Sequence, residues 1–235
     1  MDEDPLKAVR SKKEASISGC MQLLKEKKVE AVFSAGSTGA TLISAITILG
    51  KQKGVIRPAI ASVLPTVDRS VILLDSGASL DVKPKVLFQF AVMGSKLAEA
   101  LFDLEYPKIG LLNNGEEESK GRELEKSAFK LLNSSSLNFV GNVEGRDFAT
   151  TKVDVFVTDG FTGNIVLKTL EGTAKLQQNL ISDSFKQNLF KPFLPSVKKA
   201  LKPVKDQLNP DKTNASYLLG AVSYTHLRAH ETQTH

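Results

Sequence analysis

The sequence contains no tryptophan and a single cysteine, and none of its apolar stretches is long. Because Cys20 stands alone among 235 residues, an intrachain disulfide and an all-cysteine metal site are excluded. No run of about 18 apolar residues occurs, and the Met-Asp-Glu-Asp-Pro start lacks the basic and apolar pattern of a signal peptide. We therefore expect a cytoplasmic protein without membrane-spanning segments.

Nucleotide and metal motifs are also missing. The glycine-containing turn at 34–39 is followed by no Gly-Lys-Ser/Thr, and it does not match the Gly-x-Gly-x-x-Gly dinucleotide fingerprint. The three histidines all lie at the end of the chain. His226 and His230 have the i, i+4 spacing of a helical metal pair, but no third ligand accompanies them. We expect neither a metal nor another cofactor.

Positive charge is concentrated late in the chain. The net charge is +5, and seven lysines lie between Lys186 and Lys212, offset there by Asp206 and Asp211. Such a segment suits an acidic partner. Composition alone leaves nucleic acid, an anionic membrane and an acidic protein open as that partner.

Short apolar runs alternate with longer helical patterns between residues 29 and 187. Candidate strands lie at 31–33, 59–64, 71–74, 109–112, 139–140 and 153–157. Candidate helices, with apolar residues three and four apart, lie at 38–49, 84–102, 119–132 and 162–186. Strands that are apolar throughout and are separated by helices are typical of a parallel sheet covered on both faces. The pattern predicts a three-layer α/β/α fold with a mainly parallel sheet.

Small, polar, glycine-rich segments follow each candidate strand, at 34–39, 64–66, 75–78, 113–117, 142–147 and 159–164. In a parallel sheet these turns all emerge at the carboxyl ends of the strands, where open α/β sheets bind ligands. We expect them to line one cleft. In the first turn, glycines and hydroxyls before a helix favour phosphate binding, although a simple capped turn explains the same residues.

Two side chains in these turns suit the chemistry of an oxyanion. Lys120 follows Gly115-Glu116-Glu117-Glu118-Ser119 and can hold an anion, although a lysine among glutamates is also typical of a solvated surface. Asn164 follows Asp159-Gly160-Phe161-Thr162-Gly163 and can donate to the same oxyanion or cap the following helix. Local sequence alone favours the solvated lysine and the helix cap.

Taken together, these motifs resemble those of the bacterial phosphate acyltransferase family. The resemblance rests on residues 34–40, 57–59, 64–66, 74–78, 110–113, 141–147 and 159–164, in family order and at family-like spacing. It implies transfer of a fatty acyl group from acyl carrier protein to inorganic phosphate, giving acyl phosphate for phospholipid synthesis. It also implies a fold similar to isocitrate and isopropylmalate dehydrogenases, and a peripheral membrane location.

The resemblance also assigns residues. The catalytic lysine and asparagine of the family fall on Lys120 and Asn164. Substrate and phosphate contacts are expected at Gly36, Ser37, Thr38, Gly39, Asp75, Asn113, Glu116, Asp159, Gly160, Thr162 and Gly163. The family implies a homodimer whose partners are acyl carrier protein and phosphate, without nucleic acid.

Residues 188–212 form a basic, proline-containing segment with apolar residues at helical spacing. We expect an amphipathic helical excursion that contacts an anionic membrane through Leu189, Phe190, Phe193, Leu194, Val197 and Leu201. The alternative is that this apolar face packs on a dimer partner, and its basic surface also suits the acidic carrier protein.

Both ends depart from the family. We expect residues 1–187 to form a catalytic core that lacks the first strand of the family and its Asp-x-Met-Gly-Gly-Asp loop. Residues 213–222 begin a truncated return to that core, and residues 223–235 resemble translated adapter sequence, so we expect a non-native tail.

Three alternatives stay open: an acetyl-type phosphate acyltransferase, a dehydrogenase of similar fold, and an inactive fragment that only dimerises or binds membrane.

Overall fold

The computed structural model describes residues 15–34, 38–66, 68–150, 152–187 and 216–222, with the single residues 196, 199 and 202. The α-helices are α1 (Ser16–Lys25), α2 (Thr38–Ile48), α3 (Pro84–Phe102), α4 (Glu123–Asn133) and α5 (Gly160–Gln187). The strands are β1 (Ala59–Pro65), β2 (Ser70–Leu74), β3 (Ile109–Leu112), β4 (Phe139–Val143), β5 (Val155–Val157) and β6 (Ser216–Leu219). A 3₁₀ helix spans Gly145–Ala149.

The chain divides into two compact units. The first comprises Met1–Pro58 and Leu218–His235, and in it α1 packs against α2 and buries Met21 and Leu24. Its predicted strand at 31–33 is wrong, since these residues have no strand structure and Phe33 is 96% exposed. An apolar run therefore predicts a strand only where other elements are available to cover it.

The second unit, Ala59–Tyr217, contains strands β1 to β5 of the sheet. The strand order is β4-β3-β5-β2-β1-β6. β2 and β3 each pair in parallel with β5, and β3 pairs in parallel with β4. β1, however, is antiparallel to β2, with Ala61 opposite Leu74. The sheet is therefore mixed, and the prediction of a mainly parallel sheet holds for β2 to β5 but misses the direction of β1.

Helices cover both faces of the central strands. On one face, Gly94 of α3 lies so close that a β-carbon there would come 2.5 Å from Cγ1 of Val155. On the other face, Leu73 and Phe156 belong to a buried cluster against which Val166 and Leu167 of α5 pack. Burial of each such side chain contributes about 1.5–3 kcal/mol, which explains why β5 and residues 71–74 of β2 are apolar.

Candidate active site

Four polar turns lie at one edge of the sheet, because β2, β5, β3 and β4 run in the same direction. These turns are residues 75–79, 113–121, 144–150 and 158–163, each following the carboxyl end of its strand. The turn at 64–66 is the exception, since β1 is antiparallel and its carboxyl end lies at the opposite edge. The expectation that every turn shares this edge is thus wrong for residues 64–66.

The carboxylate of Asp75 organises the turn after β2. Its Oδ1 accepts hydrogen bonds from the backbone N–H groups of Ile60, Gly77 and Ala78, and its Oδ2 accepts one from Ser79 at 2.7 Å. Burial raises the pKa of Asp75 above its ordinary value, although these four donors act in the opposite direction. Since both oxygens are engaged by backbone, Asp75 shapes the turn instead of offering free acceptors to a ligand.

Two glycines bring the start of α5 onto the Asp75 turn. The backbone N–H of Gly160 donates to the carbonyl of Ser79 at 2.9 Å. A β-carbon on Gly163 would lie 1.9 Å from the carbonyl oxygen of Asp75, and one on Gly160 would lie 2.8 Å from backbone atoms of Ser79. Any side chain at either position would therefore push the helix away from the turn. This contact explains why Gly160 and Gly163 occur where sequence analysis predicted substrate contacts.

Asp159, and not Asn164, caps α5. The Asp159 carboxylate accepts hydrogen bonds from the backbone N–H of Thr162 at 2.8 Å and from the Thr162 hydroxyl at 3.0 Å. The helix begins at Gly160, so Asn164 lies beyond the capping position, and its side chain is exposed. A β-carbon on Gly77 would lie 3.7 Å from Oδ1 of Asn164. The cap interpretation of Asn164 is wrong, and its amide is left at the surface above the Asp75 turn.

Lys120 lies in the loop between β3 and α4, since α4 begins at Glu123 and not at residue 119 as predicted. The Asn113 side chain fixes this loop by donating from Nδ2 to the carbonyl of Lys120 at 3.2 Å. The Lys120 ammonium is 3.9 Å from Oε1 of Glu117, and the two side chains are 47% and 66% exposed. An exposed pair at this distance contributes little, so Lys120 can exchange Glu117 for an anionic ligand.

Glu116 forms an ion pair on the outer side of the same loop. Its Oε1 lies 2.8 Å from the ammonium of Lys152, whose pKa is raised mainly by this hydrogen bond. The loop is also attached to β4, because Asn142 donates from Nδ2 to the carbonyl of Glu117 at 2.9 Å. Glu116 thus contacts a lysine that sequence analysis did not single out.

Arg122 is the site residue that sequence reasoning missed most clearly. Its guanidinium donates to Glu125 and to Asp159, which joins the loop of Lys120 to the start of α5. The available signal was the glutamate three residues later, whose carboxylate accepts hydrogen bonds from the backbone N–H and the guanidinium of Arg122 at the start of α4. Arginine is an unusual residue at such a position, so the pattern was easily overlooked.

Several predicted site residues do not lie at this edge of the sheet. Gly36 and Ser37 are outside the described residues, and Thr38 and Gly39 open α2 in the first unit. Of segment 188–212 the structure describes Ser196, Lys199 and Lys202, all helical. The predicted membrane-contact residues are outside the described part of the chain: Leu189, Phe190, Phe193, Leu194, Val197 and Leu201.

Within the described ranges, no group of three or more His, Cys, Asp or Glu side chains is arranged to hold a metal ion. No helix in the same ranges combines the length and the apolar character that crossing a membrane requires.

Comparison with known sequences identifies relatives over most of the chain. A family model described as "Fatty acid synthesis protein" matches residues 1–235. A phosphate acyltransferase of Elusimicrobium minutum is 45% identical over 228 residues, which cover 94% of this chain and 65% of that protein. A phosphate acyltransferase of Desulforamulus reducens is 51% identical over 189 residues, covering 80% of this chain and 56% of that protein. The chain thus spans less than two thirds of the length of either relative.

Comparison with solved structures shows a shared fold. The EutD phosphotransacetylase of Staphylococcus aureus superposes with a TM-score of 0.53 at 18% identity, over 73% of this chain and 63% of that one. A phosphotransacetylase of Streptococcus pyogenes gives a TM-score of 0.54 at 18% identity, over 74% and 63% of the two chains. At this identity the likeness establishes the α/β fold with its mixed sheet and flanking helices.

Proposed function

Since the chain belongs to the family described as fatty acid synthesis proteins, we propose that it carries the core of an acyltransferase. The reaction is transfer of a fatty acyl group from acyl carrier protein to inorganic phosphate, and the acyl phosphate formed serves phospholipid synthesis. Support comes from the family match over residues 1–235 and from relatives named phosphate acyltransferase. The activity is proposed for the whole protein, because the relatives are longer than this chain.

One structural observation carries the proposal. The loop of Lys120 and the helix start that bears Asn164 lie at the same sheet edge and are joined through Arg122 and Asp159. The Lys120 ammonium is only loosely paired, and the Asn164 amide is exposed. A cation and a neutral donor on rigid, connected backbone suit an oxyanion that develops during acyl transfer.

The mechanism follows from these groups. A phosphate oxygen attacks the thioester carbonyl, and a tetrahedral oxyanion forms. Collapse of this intermediate breaks the carbon–sulfur bond, so acyl phosphate and the carrier-protein thiolate leave, and the thiolate takes a proton from solvent. Lys120 and Asn164 stabilise the oxyanion, while Asp75 and Asp159 hold the turns in place through the backbone. No cofactor is needed for these steps.

Within the second unit, phosphate binding is assigned to the polar turns. The first unit is a separate case: Thr38 and Gly39 open α2 there, and the N–H groups of a helix start attract anions. Asn113 and Glu116 shape the Lys120 loop, and Gly160, Thr162 and Gly163 shape the start of α5. In this proposal the aspartates and Glu116 act on substrate through the loops they hold, because a carboxylate repels phosphate directly.

The remaining expectations are also proposals. We expect a cytoplasmic homodimer that contacts the inner face of an anionic membrane through segment 188–212, whose lysines attract acidic surfaces. The finer likeness to isocitrate and isopropylmalate dehydrogenases is consistent with a sheet covered on both faces. Domain limits at 187, 212 and 222 belong to the same proposal.

An acetyl-type phosphate acyltransferase is the second candidate, since the solved neighbours are phosphotransacetylases. The two reactions share their chemistry but differ in acyl group and carrier. They are distinguished by comparing palmitoyl carrier protein with acetyl coenzyme A as substrate for the same preparation.

The test uses the chain itself and an extended protein, which consists of residues 1–222 completed at both ends with the corresponding segments of the Desulforamulus reducens relative. Release of free thiol from palmitoyl carrier protein is measured with and without phosphate. We expect phosphate-dependent release by the extended protein and at least about 100-fold lower kcat/KM with acetyl coenzyme A. Thiol release without phosphate, or a preference for acetyl coenzyme A, would contradict the proposal.

A further inference from the structure

Arg122 lies at the junction of the two turns that carry Lys120 and Asn164. Its Nη2 is 2.5 Å from Oδ2 of Asp159, and its Nε is 3.1 Å and 3.2 Å from the two carboxylate oxygens of Glu125. The backbone N–H of Arg122 also donates to Oε2 of Glu125 at 2.8 Å. One arginine therefore binds the first turn of α4 and the residue that caps α5.

The two carboxylates of this cluster are buried, whereas the arginine is not. The Asp159 and Glu125 side chains are 3% and 8% exposed, and the Arg122 side chain is 61% exposed. A buried carboxylate that loses its partner is costly, so the arrangement strongly favours keeping the guanidinium in place. The hydrogen bonds to Glu125 and Asp159 correspondingly raise the pKa of Arg122 above its ordinary value.

The position of this cluster links the Lys120 loop to the start of α5. Arg122 follows Lys120 by two residues, and the carbonyl of Lys120 is held by Asn113. Asp159 in turn orients the first turn of α5 by accepting hydrogen bonds from the backbone and side chain of Thr162. Motion of either turn relative to the other must therefore break or stretch the bond between Arg122 and Asp159.

We propose that Arg122 is a positioning residue, which holds the Lys120 loop and the Asn164 helix start in the relative placement that acyl transfer requires. The inference rests on the proposed function. It assigns no substrate contact to the arginine, because its Nε and Nη2 donors are directed at carboxylates. One guanidinium between two carboxylates leaves the cluster with a net negative charge, which makes it a poor binding site for phosphate.

This role predicts a particular kinetic pattern. In the extended protein, Arg122→Gln is expected to lower kcat by about 10- to 100-fold, since small misplacement of catalytic groups has effects of this size. The KM for phosphate should stay within about threefold, because no phosphate contact is lost. The kcat of Arg122→Lys should be intermediate. Lysine keeps the charge, but it lacks the planar guanidinium whose several N–H donors bind both carboxylates at once.

The matched control is Lys96→Gln. Lys96 pairs with Glu99 at the same i, i+3 spacing as Arg122 and Glu125, but it lies on α3 and its pair is exposed. We expect kcat and KM of this variant to equal those of the unsubstituted protein. A tenfold or larger rise in the KM for phosphate of Arg122→Gln with unchanged kcat would instead make the arginine a phosphate ligand and overturn the proposal.

Hydrogen exchange tests the same inference without reference to activity. In the 235-residue chain, Arg122→Gln should speed amide exchange at 160–164 and at 116–121 by about fivefold or more, and Lys96→Gln should not. Unchanged exchange in both turns would show that Arg122 does not couple them, whatever reaction the protein catalyses. If the extended protein makes no acyl phosphate but this exchange effect is present, the proposed function fails and the coupling stands.

Discussion

Replacing Lys120 by alanine in the extended protein is expected to lower kcat by about 10²- to 10³-fold, the loss that follows removal of an oxyanion donor. The physical reason is that the Lys120 ammonium is the loosely paired cation of its loop, 3.9 Å from Glu117. The measurement is steady-state release of carrier-protein thiol at saturating phosphate. Stability should change little, because this exposed ion pair contributes little to folding.

Lys130→Ala is the matched control for this prediction. Lys130 is another exposed lysine and lies in the last turn of α4, at the far end from Lys120. Its removal should leave kcat unchanged. A loss below about tenfold in Lys120→Ala, or roughly 1.4 kcal/mol of barrier, would remove Lys120 from the mechanism.

The second large effect is expected from Gly163→Ala. The added methyl group would lie 1.9 Å from the Asp75 carbonyl oxygen and 3.1 Å from Cγ2 of Thr158. Because the first of these atoms belongs to buried backbone, the conflict cannot be relieved by a side-chain rotation. We expect the free energy of unfolding to fall by about 3 kcal/mol or more, at the upper end of overpacking effects. Urea unfolding followed by circular dichroism measures this change.

Gly172→Ala on the same helix tests whether steric contact is the cause. A β-carbon on Gly172 would meet no atom within 4 Å, and the residue is exposed in the middle of α5. This substitution should stabilise the protein by about 0.5–1 kcal/mol, since alanine loses less backbone entropy in a helix. Equal unfolding free energies for the two variants would contradict the close packing of α5 on the Asp75 turn.

Burial determined which secondary structure could be predicted from sequence. β3 and β5 are buried at every residue, so their continuous apolar runs identified them, and α3 was predicted with its observed limits. The direction of β1 was not predictable in the same way, because a mostly apolar strand of seven residues fits a parallel or an antiparallel neighbour equally. The short connection of residues 66–69 was the remaining signal, since a parallel crossover needs a dozen residues or more.

The shared edge of the polar turns was predictable from sequence, and the contacts within them were less so. Parallel strands place the turns of Asp75, Lys120 and Asp159 at one edge, and periodicity is sufficient to deduce this. The inward direction of the Asp75 and Asp159 carboxylates was missed because it depends on backbone N–H groups that composition does not describe. Arg122 was missed because its partner Asp159 is 37 residues away in sequence.

The most direct measurement of the central claim follows the oxygen atoms of phosphate. Palmitoyl carrier protein is incubated with the extended protein and phosphate labelled with ¹⁸O, and the products are identified by mass spectrometry. We predict palmitoyl phosphate in which all four oxygens of the phosphate group are ¹⁸O. It should form in the same amount as free carrier-protein thiol. Unlabelled palmitic acid released in step with the thiol would show attack by water and would contradict the account.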